Sequence, residues 1–272
     1  MPATDFLPRR LYNAFSRAGA LSDGLKGIIA LQGNPEYVSF WDDFLGTRSG
    51  TWPAGTPYAA TVGTGTEVIG ITQARGGAMT LTTGAAGSDS AGQGFGLNWS
   101  GDDGFYFICR LKLTTRITNV KIEVGMTDAV NDDGAVAVKA TPTFTATDCA
   151  LFVFDTTDDT ELTFVSNGGT TDANKDADCL LGELDFDIAA DTYFFVEIVG
   201  MVPTTAAGAS TTGDNVAGFV NGQYVGSGNI NGASALTPWW YIEDLAQSAA
   251  TVLAADYWGC VGPRAGAWGG AV

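Results

Sequence analysis

Beyond residue 36, apolar and polar positions alternate in short runs that glycine-rich turns separate. A period of two places successive side chains on opposite faces, which is the pattern of a half-buried β-strand. In the run 120–126, Lys121 and Glu123 occupy the polar positions and are expected to face out. The runs with this pattern are 77–83, 105–113, 120–126, 150–155, 160–165, 193–199 and 216–221. They predict an all-β, antiparallel β-sandwich, with a Gly-, Ser- and Ala-rich loop after residue 83.

Residues 1–37 follow a different pattern and are predicted to form a short, partly helical N-terminal arm. Apolar residues recur there at spacings near three and four, as on one face of a helix. The segment carries four basic and three acidic residues, a net charge of +1, so the rest of the chain carries −18. Such an arm favours attachment to a partner, whereas the alternative is a helix packed on its own sandwich. The candidate capsid-attachment residues are Arg9, Arg10, Leu11, Phe15 and Arg17.

The composition agrees with one packed β domain. Of 272 residues, 37 are glycine and 45% are apolar, which suits a folded chain with many turns and not a disordered one. Large β-sandwiches commonly form a single unit of this size. We therefore expect one sandwich over residues 38–262, preceded by the arm over 1–37 and followed by a flexible tail over 263–272.

The charge balance excludes several function classes. With 30 acidic against 13 basic residues, the chain repels nucleic acid and anionic membranes, so neither is an expected partner. Histidine is absent, which excludes Ser-His-Asp hydrolysis and histidine-based zinc chemistry. No run approaches the roughly 18 apolar residues of a membrane span, and the first residues lack the pattern of a secretory signal.

The four cysteines, Cys109, Cys149, Cys179 and Cys260, are far apart and form no Cys-x-x-Cys pair. We expect them to be small buried thiols on strands, since free cysteine is among the most buried residue types. Their even number leaves two disulfides as the alternative.

Three motifs follow one another in an order typical of a known family. They are the opening run 40–46 (Phe-Trp-Asp-Asp-Phe-Leu-Gly), the pair Asn221-Gly222, and the closing run 254–258 (Ala-Ala-Asp-Tyr-Trp). In this order they resemble the concanavalin A-like (laminin G-like) jelly-roll domains of phage virion structural proteins, over roughly residues 38–262. The resemblance implies a jelly-roll sandwich in which Asn221-Gly222 forms a hairpin. It also implies that the strand with Asp256 and Tyr257 returns beside the first strand.

One acidic segment has the spacing of a metal-binding loop. Its oxygen donors occupy positions 1, 3, 5, 7 and 12, as in an EF-hand loop, which binds calcium. Ala177 stands where that loop needs glycine, and strands are expected on both sides, so any calcium site would be of another kind. The alternative is a solvated acidic turn. The candidate ligands are Asp172, Asn174, Asp176, Asp178 and Glu183.

A second acidic pattern, Glu183-Leu-Asp185-Phe-Asp187, resembles the Glu-x-Asp-x-Glu strand of glycoside hydrolases with this sandwich fold. The resemblance implies Glu183 as nucleophile and Asp187 as acid/base. Asp187 is one methylene shorter than the glutamate of that pattern, and the reaction depends on the separation of the two carboxyl groups. Strand alternation with the acids outward explains the same residues. We therefore expect no enzyme activity and no catalytic residue.

An aromatic run, Trp239-Trp240-Tyr241, is the candidate glycan or interface surface. Neighbouring residues of a strand point to opposite faces, so Trp239 and Tyr241 share one face while Trp240 lies on the other. The rings can stack on sugars or on a neighbouring subunit. The alternative places one face in the core.

Together these features predict a phage virion structural protein, a capsid decoration or head-fibre protein that docks through its arm. Its expected location is the virion, after assembly in the host cytoplasm. The expected partners are the major capsid protein or another virion protein, and further copies of the chain, with a trimer expected by analogy with decoration proteins. Calcium is the one cofactor considered, and none is expected to be required. The alternatives are a carbohydrate-binding module that recognises host surface glycans and, third, a glycoside hydrolase.

Overall fold

All regular structure in the described part of the chain is β-strand. The computed structural model describes residues 37–42, 44, 60–62, 70–71, 77–96, 99–101, 104–114, 116–140, 143–168, 186–200, 215–231, 234–245 and 249–263. Within these residues no helix has the length and apolar character needed to cross a membrane. Residues 1–36 of the predicted arm and 264–272 of the predicted tail lie outside them, whereas Tyr37 and Pro263 belong to the first and the last strand.

The chain order of the strands is as follows. They are β1 (Tyr37–Asp42), β2 (Ala60–Val62), β3 (Gly70–Ile71), β4 (Met79–Thr82), β5 (Ser90–Gly94), β6 (Trp99–Ser100), β7 (Phe105–Leu113), β8 (Val120–Thr127), β9 (Val136–Val138), β10 (Thr143–Phe144), β11 (Asp148–Asp155), β12 (Leu162–Gly168), β13 (Phe194–Gly200), β14 (Val216–Val220), β15 (Gln223–Gly228), β16 (Ala235–Asp244) and β17 (Val252–Pro263).

The strands form two antiparallel sheets. Sheet A has eight strands in the order β15-β14-β13-β7-β17-β4-β3, with β1 paired to β17. Sheet B has seven strands in the order β12-β11-β8-β16-β5-β2, with β6 paired to β16. A separate two-stranded pair is formed by β9 and β10.

The hydrophobic core lies between the two sheets, because alternate residues of each strand point inward. On β7, for example, Phe107, Cys109 and Leu111 are all buried there. Trp240 of sheet B and Trp258 of sheet A meet edge to face with ring centroids 5.0 Å apart. Phe40 stacks on Trp258 at 4.8 Å, so the first strand is fixed to the core through the last.

Each of the seven predicted strands overlaps an observed strand. The two topological features that the resemblance implied are also confirmed. Strand β1 pairs with β17 from Tyr37 opposite Pro263 to Asp42 opposite Trp258. Asn221 and Gly222 join β14 to β15 with φ of 50° and 78°, the left-handed values of a tight hairpin turn.

The loop predicted after residue 83 is wrong in part, because Ser90–Gly94 forms strand β5. All five of its residues are buried, and it pairs with β16 on one side and β2 on the other. Small residues and glycine have low β-propensity, so the sequence carries no strand signal here. Pairing with two neighbouring strands overrides that propensity.

Gly222 provides a test of the hairpin. Its φ of +78° is costly for any residue with a Cβ, while a Cβ at this position would meet no atom within 4 Å. We therefore expect Gly222→Ala to lower the free energy of unfolding by about 1–2 kcal/mol through backbone conformation alone. Gly222→Asn should lose less, since asparagine tolerates left-handed φ. Urea unfolding measures both, and equal stability of the alanine variant and the native chain would contradict the turn geometry.

The cysteines on strands give a second test. Cys109, Cys149 and Cys260 are free and buried, which confirms the prediction for these three, and Cys179 lies outside the described residues. Burial raises the pKa of Cys109 to about 12 and the pKa values of Cys149 and Cys260 well above the usual range. In its folded state, the Cys179→Ser variant should therefore show no thiol that reacts with a disulfide reagent at pH 8. Three thiols should react after denaturation, and a rapidly reacting native thiol would contradict this burial.

Candidate functional site

The outer faces of the two sheets differ, and the outer face of sheet B is covered. The chain between β8 and β11 folds back over it as a flap, which we define as residues 128–140 and 143–147. Buried flap side chains, Ala135 and Val136 among them, pack with outward side chains of β11, β12 and β16 in a second apolar cluster. Because the flap covers the outer face of sheet B, that face is not accessible to a ligand in this structure.

A buried carboxylate fixes the flap to sheet B. Glu123 of β8 accepts hydrogen bonds from the backbone N–H of Ala135 (2.7 Å) and of Val136 (3.0 Å), and from Trp239 Nε1 (3.1 Å). Its fourth partner is the ammonium group of Lys121, 3.1 Å away. Lys121 and Glu123 do face out of the sandwich, as predicted, but solvent does not reach them. The flap buries them, leaving 3% and 0% exposed.

The structure places the aromatic run of β16 in the interior. Trp239 and Tyr241 stack under the flap with ring centroids 5.9 Å apart, and the Tyr241 hydroxyl donates to the Asp132 carbonyl at 3.0 Å. Trp240 points the other way into the core, with Nε1 3.3 Å from Cys109 Sγ. All three side chains are buried, so in this structure they present no ring to a glycan or to another subunit. We assign them to the two apolar clusters.

The outer face of sheet A is different, since none of the described strands packs on it. Among the described strands, the one pair outside the two sheets, β9 with β10, lies on sheet B. Large rings project from this face on six neighbouring strands, and most are half-buried. We call it the aromatic face and define it by Tyr37, Trp41, Tyr106, Tyr193, Phe195, Phe219, Tyr224 and Tyr257.

Strand register places these rings and several charged groups in ordered rows. One row, which we call the central row, crosses all six strands from β1 to β15. Directly opposed residues of an antiparallel pair share a face, so its side chains lie on one surface. In order across the sheet, the central row is Trp41, Gly259, Ile108, Glu197, Phe219 and Tyr224.

Ring pairs stand at both ends of the central row. At the β1 end, Trp41 packs on Tyr257 with centroids 4.8 Å apart. At the β15 end, Phe219 meets Tyr224 edge to face at 5.7 Å, and Tyr224 is 51% exposed. An aromatic ring this exposed is available for contact with a ligand.

Charged groups lie between the ring pairs. The Arg110 guanidinium stacks 4.2 Å from the centre of the Tyr193 ring and forms a salt bridge with Asp256. Lys112 lies 4.7 Å from the same ring and pairs with Asp191. These contacts hold both cations in fixed positions beside the rings.

The protonation states of the aromatic face follow from its burial and its ion pairs. Burial raises the pKa of the Tyr257 phenol to about 12, and the nearby carboxylates of Asp256 and Glu197 add to this while Arg110 opposes it. The hydrogen bond to Asp191 raises the pKa of the Lys112 ammonium group. At neutral pH the phenol is therefore neutral and the ammonium group charged.

The Tyr106 hydroxyl donates to the Glu197 carboxylate. The face thus combines apolar ring surfaces with hydrogen-bonding groups of both kinds.

Most of the site residues predicted from the sequence lie outside the described residues. This applies to the metal candidates Asp172, Asn174, Asp176, Asp178 and Glu183, and to the attachment candidates Arg9, Arg10, Leu11, Phe15 and Arg17. Of the acidic strand pattern, Asp187 is described; it is exposed and forms a backbone bridge to Glu161. Within the described residues, no group of three or more His, Cys, Asp or Glu side chains could hold a metal ion.

Sequence reasoning did not find the aromatic face. Its members belong to six strands spread from residue 37 to residue 257, and no local motif joins them. The sequence does contain a signal for this face, because outward aromatic or charged residues alternate with inward apolar residues within single strands. On β7 this is Tyr106, Arg110 and Lys112 in outward positions, opposite Phe107 and Leu111 in the core.

Comparison with known proteins supports the fold. The chain matches no protein-family model and no curated protein. The carbohydrate recognition domain of Emp47p superimposes with a TM-score of 0.51 at 10% identity, over 83% of this chain and 95% of that one. The protein SO2946 of unknown function from Shewanella oneidensis MR-1 gives 0.50 at 9% identity, over 89% and 95%. Such likenesses show the fold alone, which is a concanavalin A-like, lectin-type jelly roll.

Proposed function

We propose that this chain is a carbohydrate-recognition domain and that the aromatic face of sheet A is its binding surface. The observation that carries the proposal is the arrangement of this face. Aromatic rings lie there on six neighbouring strands, with charged groups beside them on β7, β13 and β17, and no described strand covers them. The likeness to the Emp47p carbohydrate recognition domain shows a fold suited to such a function.

The chemistry of a sugar matches this arrangement. A sugar ring presents C–H bonds on its faces and hydroxyl groups around its rim. The C–H bonds pack well against the electron-rich faces of aromatic rings such as Trp41 and Tyr257. The hydroxyl groups can both donate and accept, and they match Arg110 and Asp256 beside the rings.

A protein partner fits the same surface less well. The centre of a protein–protein interface is usually depleted of charged residues. On the aromatic face Glu197 stands in the central row and Arg110 lies beside it. Glu197 is already buried, but the Arg110 side chain is 39% exposed. An apolar protein surface over Arg110 would remove its hydration, whereas sugar hydroxyls replace it.

A glycan array probed with the intact chain tests the proposal. We expect retention of at least one glycan class, followed by saturable binding of that glycan in calorimetry. Absence of binding to every glycan on an array of bacterial and host surface structures would overturn the proposal. In this proposal the chain binds without cleaving its ligand, so the bound oligosaccharide should be recovered intact, with no new reducing ends after prolonged incubation.

As a second candidate we propose a virion structural role, as a capsid decoration or head-fibre protein. What supports it is the order of the three sequence motifs, which resembles phage virion domains, and the pairing of β1 with β17 agrees with the fold that this resemblance implies. A glycan-binding surface on such a particle is compatible with this role. Calcium binding at residues 172–183 and trimer formation belong to the same proposal.

Co-sedimentation with undecorated phage shells tests this second candidate. The full chain should bind the shells, and a variant with Arg9, Arg10 and Arg17 all changed to glutamate should not. That variant should retain the native melting temperature, which separates a lost attachment from a lost fold. Failure of the native chain to sediment with the shells would contradict the virion role and leave the carbohydrate proposal standing.

A further inference from the structure

The aromatic face is elongated in the direction that crosses the strands, and this long axis indicates the shape of ligand that the face fits. The central row crosses six strands through directly opposed residues, from Trp41 on β1 to Tyr224 on β15, with a register shift beside Phe219 at its β15 end. Neighbouring strands lie about 4.8 Å apart, so five spacings give a row about 24 Å long. One sugar ring is much shorter than this. The row therefore fits a chain of several sugar units laid across the strands.

The positions of the ring pairs agree with this direction. Trp41 and Tyr257 occupy one end of the row, while Phe219 and Tyr224 occupy the other. A short sugar can contact only one pair at a time. A ligand that contacts both pairs gains affinity, because the second contact forms at a high effective concentration once the first has formed.

The charges of this face bear on the chemical class of the ligand. Its two cations are already paired, Arg110 with Asp256 and Lys112 with Asp191. With Glu197, the described residues of this face carry two basic and three acidic groups, a net charge of −1, on a chain whose net charge is −17. An acidic polysaccharide would meet repulsion here both locally and at a distance.

We propose that the ligand of the aromatic face is an extended, uncharged glycan chain that lies across the strands and contacts both ring pairs at once. This inference rests on the proposed carbohydrate-recognition function and adds the length, the direction and the charge class of the ligand. The Phe219–Tyr224 pair is then a determinant of ligand length, and the Trp41–Tyr257 pair is the main stacking site because it is the more enclosed.

Calorimetry with a length series tests the inference. The probes are neutral oligomers of glucose, mannose, galactose and N-acetylglucosamine, from two to eight units, with oligogalacturonate of the same lengths as the acidic comparison. For the sugar that binds, affinity should rise by about 100-fold as the chain becomes long enough to reach both pairs, and then level off. Oligogalacturonate should bind more weakly at every length.

Matched variants separate the two ends of the row. The double variant Phe219→Ala, Tyr224→Ala should bind short oligomers with the affinity of the native chain. Its affinity should no longer rise as the oligomer becomes longer. Val138→Ala removes an exposed apolar side chain on the opposite side of the sandwich, and this variant should keep the gain in affinity with ligand length. Affinity that does not depend on length, or stronger binding of oligogalacturonate, would overturn this inference while leaving the proposed function in place. Absence of binding by any glycan on the array would instead overturn the proposed function.

Discussion

Replacing Glu123 by alanine is expected to lower the free energy of unfolding by about 3–5 kcal/mol, the usual loss when one partner of a buried ion pair is removed. The change leaves the Lys121 ammonium group buried without its counter-charge. It also leaves the N–H groups of Ala135 and Val136 and the indole N–H of Trp239 without their acceptor. Urea unfolding followed by fluorescence measures the loss.

A double variant distinguishes the loss of this network from the loss of packing alone. The double variant Lys121→Met, Glu123→Leu removes both charges and should be more stable than Glu123→Ala, because an apolar pair of similar volume carries no uncompensated charge. Val138→Ala serves as the control, since its side chain is 46% exposed on the flap, and it should change stability little. A loss of less than about 1 kcal/mol for Glu123→Ala would contradict the burial of this carboxylate.

Removal of either ring at the β1 end of the aromatic face is expected to weaken glycan binding by about thirtyfold, the equivalent of about 2 kcal/mol at a binding hot spot. Trp41 and Tyr257 pack on each other, so loss of one ring removes a stacking surface and loosens the other. Both rings are half-buried on the outer face and lie outside the main core. Trp41→Ala and Tyr257→Ala should therefore keep the fold, which circular dichroism and thermal melting check.

Conservative changes show which property of the rings matters. Tyr257→Phe keeps the stacking surface and removes only the hydroxyl, so it should retain most of the affinity. Trp41→Phe should fall between the native chain and Trp41→Ala, because the smaller ring covers less of the sugar. Calorimetry with the glycan retained on the array gives all four affinities. Native affinity in folded Trp41→Ala and Tyr257→Ala variants would exclude these rings from the binding surface.

The fold could be predicted from the sequence because local alternation and turn chemistry agree with it. The alternating run 120–126 became strand β8, and Asn221-Gly222 became the hairpin that its residue types favour. Strand β5 could not be predicted, since Ser90–Gly94 contains small residues whose pairing is decided by β16 and β2. Local propensity is weak where distant strands determine the pairing.

The candidate site could be predicted only in part, for a related reason. Alternation correctly assigns Glu123 to an outward position, but burial by the flap depends on residues that follow in the chain. The same alternation separates Trp240 from Trp239 and Tyr241 without indicating that both sides are covered. The aromatic face requires the register of six strands, as the opposition of Ile108 to Gly259 and to Glu197 shows. Register between distant strands is not encoded in any single motif.

Hydroxyl-radical footprinting of the intact chain, with and without a saturating glycan, tests the location of binding most directly. Exposed aromatic side chains react readily with the radical, and mass spectrometry identifies the oxidised residues. We expect the glycan to protect Trp41, Tyr257 and Tyr224 on sheet A and to leave the oxidation of Val138 on the flap unchanged. Protection of the flap with no change at Trp41, Tyr257 and Tyr224 would contradict the assignment of the binding surface to the aromatic face.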